Sequence, residues 1–358
     1  MTETVRIGII GLGNIADIHC TNLRQLDQPV SIAAGVDVDA DARRRFAETY
    51  DATVYEEAAA MFETVDAVLV TTPNRYHEQY VVAALEAGLD VLVEKPLAHS
   101  LDSAERIAEA ARDSVGFCMV GFNYRFAAPV DVLTAYRDEG RLGEINHVEA
   151  NYVRRRGIPG RGSWFTDRET AGGGALIDIG VHAIDLALCV LDFPDVVEVS
   201  ATTRAAFGTR EDYSYMHMWG DDDGPGAFDV EDSASAFLRT ADGATVSLEV
   251  AWATNRPRTD EYVVRGTDAG AIYDRKSEEL TLYETHTTGE QHFTETAVDT
   301  PERNSHAVEL DYFLDHAADD TEPDRNTVDE GLAVQRVIDA IYRSADEERA
   351  VRLEGENG

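Results

Sequence analysis

The chain has 358 residues, enough for two domains that each bury a core, and its hydrophobic content of 44% is that of a globular protein. It carries 68 aspartates and glutamates against 31 lysines and arginines, a net charge of −37. The acids run along the whole chain, which excludes a disordered acidic tail as their source and leaves no broad basic face for nucleic acid.

Lysine occurs only at 95 and 276; arginine supplies the rest of the positive charge. So acidic a surface repels itself at low salt and is tolerated when salt screens it, which points to a cytoplasmic protein of an extreme halophile. Cys20, Cys118 and Cys189 are widely spaced, with no C-x-x-C, and read as small buried hydrophobes. No signal-peptide pattern opens the chain, and no apolar run is read as approaching membrane-spanning length, so no membrane partner is expected.

Taken in order, Val5–Ile10 is a short apolar run of the kind buried in a parallel sheet. Gly11-Leu12-Gly13-Asn14-Ile15-Ala16 follows, a G-x-G-x-x-A. Its glycines permit a tight turn and close approach of backbone to a pyrophosphate, and the next helix offers its N-terminal amides. The strand predicted over 31–36 ends in Asp37, placed to accept from both ribose hydroxyls of a dinucleotide and to repel a 2′-phosphate. Val38 offers nothing to a phosphate, so NAD is favoured and NADP remains possible. Asp39, rather than Asp37, suits the cap of the helix predicted to Tyr50. A strand over 67–70 leads to Thr72 and Asn74, at a strand end where ligands of open parallel sheets lie. Helix 77–87, strand 90–93, helix 100–113 and strand 117–121 follow, giving five located strands of what reads as a six-strand βαβ series. Glu94-Lys95-Pro96 leaves the same sheet edge.

Beyond Phe122 the pattern changes. After a helix over 130–139, apolar-polar alternation marks strands over 145–153, 196–204, 234–238, 245–252, 261–265, 271–274 and 280–284. The fold class is α/β: a Rossmann domain over 1–124, then an α+β domain over 125–358 with a large, mostly antiparallel open sheet. Two amphipathic helices, 305–317 and 328–344, close the chain, the last packing back on the first domain. Asp221-Asp222-Asp223 is a solvated loop, and no metal is expected.

Gly172-Gly173-Gly174 opens a helix predicted over 175–191, on which Asp178 and His182 are four apart and share a face. The same spacing suits a surface pair, and Glu-Lys-Pro suits a strand end with a proline stop. Together, downstream of a dinucleotide motif, Lys95, Asp178 and His182 are the parts needed to take a proton from an alcohol while its carbon gives up hydride. His182 titrates nearest neutrality and suits the general base. Lys95 suits the developing alkoxide, and Asp178 suits orientation of His182 or a neighbouring hydroxyl. The alternative gives the proton transfer to Lys95. Asn123, Tyr124 and Arg125 follow the last Rossmann strand toward a substrate cleft. The arginine-dense run Arg154–Phe165 reads as substrate-binding through Arg156 and Trp164, or as salt bridging to the acidic surface.

The G-x-G-x-x-A, Thr-Thr-Pro-Asn-x-x-His, Glu-Lys-Pro, Gly-Phe-Asn-Tyr-Arg-Phe and Gly-Gly-Gly-x-Leu-Ile-Asp-x-Gly-x-His motifs, in that order, resemble the glucose–fructose oxidoreductase / inositol dehydrogenase (Gfo/Idh/MocA) family. The resemblance implies a nicotinamide cofactor, a C-terminal sheet that builds homodimers or homotetramers, and Lys95, Asp178 and His182 as the catalytic set. Matched motifs add Pro73, His77, Glu94, Lys95 and Asn123 to Gly11, Gly13, Asn14, Ile15, Asp37, Thr72 and Asn74 as candidate cofactor contacts. The substrate-side set is Lys95, Tyr124, Arg125, Arg156, Trp164, Asp178 and His182. The implied reaction is oxidation of a secondary hydroxyl of a sugar, glycoside or cyclitol. The Arg154–Phe165 run is similar to members acting on a ring hydroxyl of hexoses or glycosides. Two other readings stand beside it: an NAD-dependent glycosidase-like enzyme of the same family, and a nucleotide-sensing protein without catalysis.

Overall fold

The computed structural model describes residues 4–214, 216 and 220–353. They form two compact units, one within residues 4–126 and 304–335, the other within residues 127–303 and 336–353.

The first unit holds a six-stranded parallel sheet of β1 (Val5–Ile10), β2 (Val30–Val36), β3 (Thr53–Tyr55), β4 (Ala67–Val70), β5 (Asp90–Glu94) and β6 (Cys118–Gly121). Its order, β3-β2-β1-β4-β5-β6, is that of a dinucleotide-binding sheet. β4 and β6 are buried at every residue and β1 at all but one, which is why they read as unbroken apolar runs. Connecting helices are α1 (Asn14–Leu23), α2 (Ala40–Tyr50), α3 (Ala58–Phe62), α4 (His77–Glu86) and α5 (Leu101–Asp113). Asp39 caps α2 by accepting from Asp41 N at 2.9 Å, and Ser100 caps α5.

The first unit is completed from far along the chain. α9 (Ser305–Asp319) contacts α1 and the turn over Asn123–Phe126, and its Leu310, Phe313 and Leu314 join Ile7, Ile9, Leu69, Leu92 and Met119 in one apolar core. Val120 N donates to Asn326 O at 2.8 Å. Residues 304–335 therefore pack in the first unit, where only the last helix was expected to return from the second domain.

The second unit is built on nine strands in the order β14-β13-β12-β11-β7-β10-β9-β8-β15. They are β7 (Ile145–Val153), β8 (Val196–Arg204), β9 (Ser233–Thr240), β10 (Thr245–Ala251), β11 (Thr259–Gly266), β12 (Ala269–Asp274), β13 (Glu279–His286), β14 (His292–Val298) and β15 (Val351–Arg352). Neighbours are antiparallel except the parallel pair β7 and β10. Alternation is clear along β10, where Val246, Leu248 and Val250 are buried and Thr245, Ser247 and Glu249 half-buried. α8 (Val181–Val190) packs on β7 and β10, and α6 (Ala128–Asp138) packs on α8; α7 (Arg168–Ala171) precedes the glycine loop. α10 (Val328–Glu347) begins in the first unit and ends in the second.

One stretch departs from the expectation that nothing approaches membrane-spanning length. Arg168–Val190 has 23 residues, a mean hydropathy of 1.7 across its most apolar window, and 89% of that window buried in the fold. It is a core segment, wrapped by the second sheet rather than by lipid.

Surface ion pairs such as Arg6–Asp66 and Arg106–Glu78 leave most of the acids unpartnered by cations, so self-repulsion acts on the folded state. The thermal unfolding midpoint is expected to climb steadily from low salt to molar KCl. A midpoint unchanged over that range would show that the repulsion does not govern stability.

Candidate active site

In the first unit, Gly11 sits at φ +92°, and a Cβ there would lie 2.9 Å from Thr72 N. Gly13 precedes α1 in extended backbone; a Cβ there meets nothing within 4 Å, and no side chain caps the helix. Backbone amides of α1, beginning at Asn14 and Ile15, thus face an open cradle suited to a pyrophosphate. Asp37 leaves β2 with Oδ2 accepting from Leu12 N at 2.7 Å and Oδ1 from Asp39 N at 2.8 Å, which fixes its carboxylate beside that cradle. Val38 is exposed, and Arg43 turns back to the carbonyls of Asp37 and Val38.

The exits of β4 and β5 are pinned to each other. His77 is fully buried, with Nδ1 against Pro96 O and Nε2 against Thr72 O, each at 2.9 Å. Burial depresses its pKa. As a neutral imidazole it donates to one of these two carbonyls, and it packs between Thr72-Pro73-Asn74 and the Lys95-Pro96 turn. Glu94 accepts from Lys95 N at 3.2 Å and meets His19 Nε2 at 2.7 Å. Burial alone would raise the Glu94 carboxyl. The His19 hydrogen bond, with the electrostatic pull of the neighbouring His19, His306 and Lys95, outweighs it and holds the pKa down to about 2. His306 packs edge-on against His19 at 5.7 Å. Asn123 is buried and donates to Ser305 Oγ at 3.1 Å. Tyr124 beside it is half-buried.

Arg125 corrects an expectation. It is 1% exposed and its guanidinium meets Glu330 at 2.8 Å over the ring of Phe122, so it is a buried structural cation and not a substrate contact.

In the second unit, the segment from Ala175 is not a regular α-helix. Leu176–Gly180 is a π-turn, and the α-helix proper starts at Val181. Asp178 falls within the π-turn and is half-buried; His182 lies in the first turn of α8 and is 6% exposed. Trp252, fully buried at the end of β10, donates from Nε1 to Asp178 Oδ2 at 2.9 Å. A carboxylate so fixed has one oxygen orientation, which a positioning acid needs.

The arginine run is largely spoken for. Arg154 donates to Tyr152 OH at 3.0 Å. Arg156 donates to Thr254 O at 2.6 Å and Asn255 Oδ1 at 2.7 Å, and lies over Phe207. Arg161 is buried and holds both oxygens of Asp222, keeping that carboxyl below its ordinary pKa. That pair converts the expected solvated loop at 221–223 into one anchored on the 157–163 segment. Trp164 is half-buried, its ring 3.7 Å from Phe165. Among the described residues no cluster of His, Cys, Asp and Glu suits a metal.

Two family models match. The NAD-binding Rossmann fold of the oxidoreductase family covers residues 5–122, and the GFO/IDH/MocA C-terminal domain covers residues 132–272. The chain is also 31% identical to the D-glucoside 3-dehydrogenase of Escherichia coli K12, with 98% of each chain covered. The chain belongs to the Gfo/Idh/MocA oxidoreductase family. A putative UDP-kanosamine synthase oxidoreductase subunit of Amycolatopsis mediterranei is 34% identical over 71% of this chain and 70% of its own. Levoglucosan dehydrogenase, solved with NADH and levoglucosan, shares the fold at TM-score 0.85 and 22% identity, across 98% of this chain and 100% of its own. As a Gfo/Idh/MocA member, the protein is an oxidoreductase with a nicotinamide cofactor.

Sequence reasoning did not single out Trp252, His19 or Glu231. Trp252 was visible only as the last residue of a strand, and His19 as one polar residue on an amphipathic helix. The one available signal for Glu231 was a charged pair, Glu231-Asp232, set just before an apolar strand.

Replacing Arg125 by alanine is expected to lower folding stability by about 3 kcal/mol, since Glu330 is then left without its cation. Chemical denaturation measures it; a loss of substrate affinity at unchanged stability would restore Arg125 to the substrate site.

Proposed function

We propose that the protein oxidises a secondary hydroxyl of a sugar, glycoside or cyclitol to a ketone, with a ring hydroxyl of a glycoside as the favoured target. The observation that carries this reading is the likeness, over 98% of both chains, to a protein named D-glucoside 3-dehydrogenase. It is supported by the presence of Lys95, Asp178 and His182 and by the committed environment of Asp178.

Bound NAD supplies the carbon that accepts the hydride. Gly11, Gly13, Asn14 and Ile15 would take its pyrophosphate and Asp37 its ribose hydroxyls, with Thr72, Pro73, Asn74, Glu94, Lys95 and Asn123 along the rest of the dinucleotide. In the proposed step an imidazole nitrogen of His182 takes the hydroxyl proton as the carbinol carbon releases its hydride, leaving a ketone. Nζ of Lys95 donates to the oxygen as charge develops on it. Asp178, turned by Trp252, orients the imidazole or an adjacent hydroxyl. Tyr124, Arg156 and Trp164 are the proposed sugar contacts, Arg156 through the guanidinium donors that Thr254 and Asn255 do not occupy.

Two further readings belong here. The sheet face bearing Phe237, Tyr283 and the pairs Glu149–Arg265 and Glu198–Arg239 is taken as the surface through which homodimers or homotetramers form. The acidic surface is taken as an adaptation to a cytoplasm of high salt.

The test is NADH formation in molar salt across glycosides, hexoses, inositols and pentoses, with NAD and NADP in parallel. Turnover with one ring-hydroxyl class and NAD is expected. Silence across the panel, while calorimetry shows NAD bound, would overturn the dehydrogenase reading in favour of a glycosidase-like or sensing role.

A further inference from the structure

The loop that delivers Asp178 and His182 has a buried support outside the catalytic set. Gly174 N approaches both carboxylate oxygens of Glu231 at 3.0 Å, Leu176 N donates to Glu231 Oε1 at 2.9 Å, and Tyr342 OH donates to the same oxygen at 3.1 Å. Ala175 N donates to the Glu231 backbone carbonyl at 3.1 Å. Glu231 is 4% exposed.

Each of these side-chain contacts delivers a hydrogen to the carboxylate. A protonated Glu231 would lose one of its amide-facing acceptor positions and could place its hydrogen only on the Tyr342 hydroxyl oxygen, since the Gly174 and Leu176 amides can only donate. The geometry therefore calls for the anion, held by the amides that open the π-turn. Burial works against the anion and raises its pKa, while the Leu176 and Gly174 amides and the Tyr342 hydroxyl pull it down. Burial and the Glu231 charge keep the Tyr342 phenol well above its ordinary pKa, hence a donor.

The glycines fit this support and nothing larger. A Cβ on Gly173 would lie 1.9 Å from the Tyr342 hydroxyl, and one on Gly174 would lie 2.0 Å from Glu231 O. Two residues later the chain reaches Leu176, and the π-turn that follows carries Asp178. The register of that turn is thus set by where Glu231 and Tyr342 hold its first amides.

We propose that Glu231, with Tyr342, is a positioning pair that fixes the π-turn so that Asp178 and His182 are presented in catalytic register. The inference rests on the dehydrogenase reading for its activity readout only.

Glu231→Gln keeps the shape but turns an NH2 group toward backbone donors. Its kcat is expected to fall about a hundredfold, the loss typical of a catalytic group displaced by about 1 Å. The dissociation constant for NAD, set by the first unit, should stay within about twofold. Tyr342→Phe removes one of the donors and should cost kcat about tenfold, again with NAD binding held. Amide hydrogen exchange at Gly174 and Leu176 should quicken in both variants, and this arm needs no turnover. Unchanged kcat in Tyr342→Phe, or exchange at those amides as slow as in the parent chain, would overturn the proposal. Should Glu231→Gln fail to fold, Tyr342→Phe decides. If the parent chain turns over no sugar, the exchange arm alone decides, so failure of the substrate reading and failure of the clamp are told apart.

Discussion

A buried carboxylate facing a row of backbone amides is the constraint around which the loop carrying Asp178 and His182 is arranged. The loop at 172–174 runs through the interior, where an unsatisfied amide costs about as much as a lost hydrogen bond. Regular helix does not satisfy the amides of its own first turn. Glu231 does, from the start of the neighbouring strand, and Tyr342 joins from α10. Once the loop is held, the π-turn, the Trp252–Asp178 hydrogen bond and the place of His182 in the first turn of α8 follow from chain geometry. The three consecutive glycines are then a packing requirement at 173 and 174 and a left-handed residue at 172, where φ is +90°.

The first unit solves a different problem with the same means. A parallel sheet presents its functional residues on short strand exits, which are free to move unless something ties them. His77 is buried between the carbonyls at the exits of β4 and β5 and donates to one of them, and Glu94 ties β5 to α1 through His19. α9 contributes His306 beside His19, so a segment from near the chain's end stabilises the strand that carries Lys95. Polar groups buried in this unit work chiefly by fixing backbone, and the net gain comes from the apolar core around Ile7, Leu69 and Phe313.

Much of this was legible in the sequence. β1, β4, β5 and β6 are buried on both faces, so their apolar runs announce them, and the alternation of β7 and β10 announces the second sheet. β3 is three residues long, too short for periodicity to register. The π-turn was invisible because Asp178 and His182 are four apart in either kind of helix. Arg125 was misjudged because a basic residue at a strand exit looks the same whether it faces a ligand or a half-buried Glu330 more than two hundred positions away. The last helix was expected to return to the first domain, but the return of the helix before it, 305–317, escaped for the same reason: amphipathic helices state that they pack, not on what. Arg168–Val190 passes for a membrane span by composition, and only its burial identifies it as core.

The central claim is that Lys95, Asp178 and His182 share the work on one carbinol. The most direct measurement is the single-turnover rate of hydride transfer from a glycoside deuterated at its reacting carbon, in the parent chain and in His182→Ala and Lys95→Ala, in molar salt. The account predicts a primary isotope effect in the parent chain and a rate lowered about a hundredfold to ten-thousandfold in His182→Ala, with Lys95→Ala also impaired. A His182→Ala chain that transfers hydride at the parent rate would contradict it.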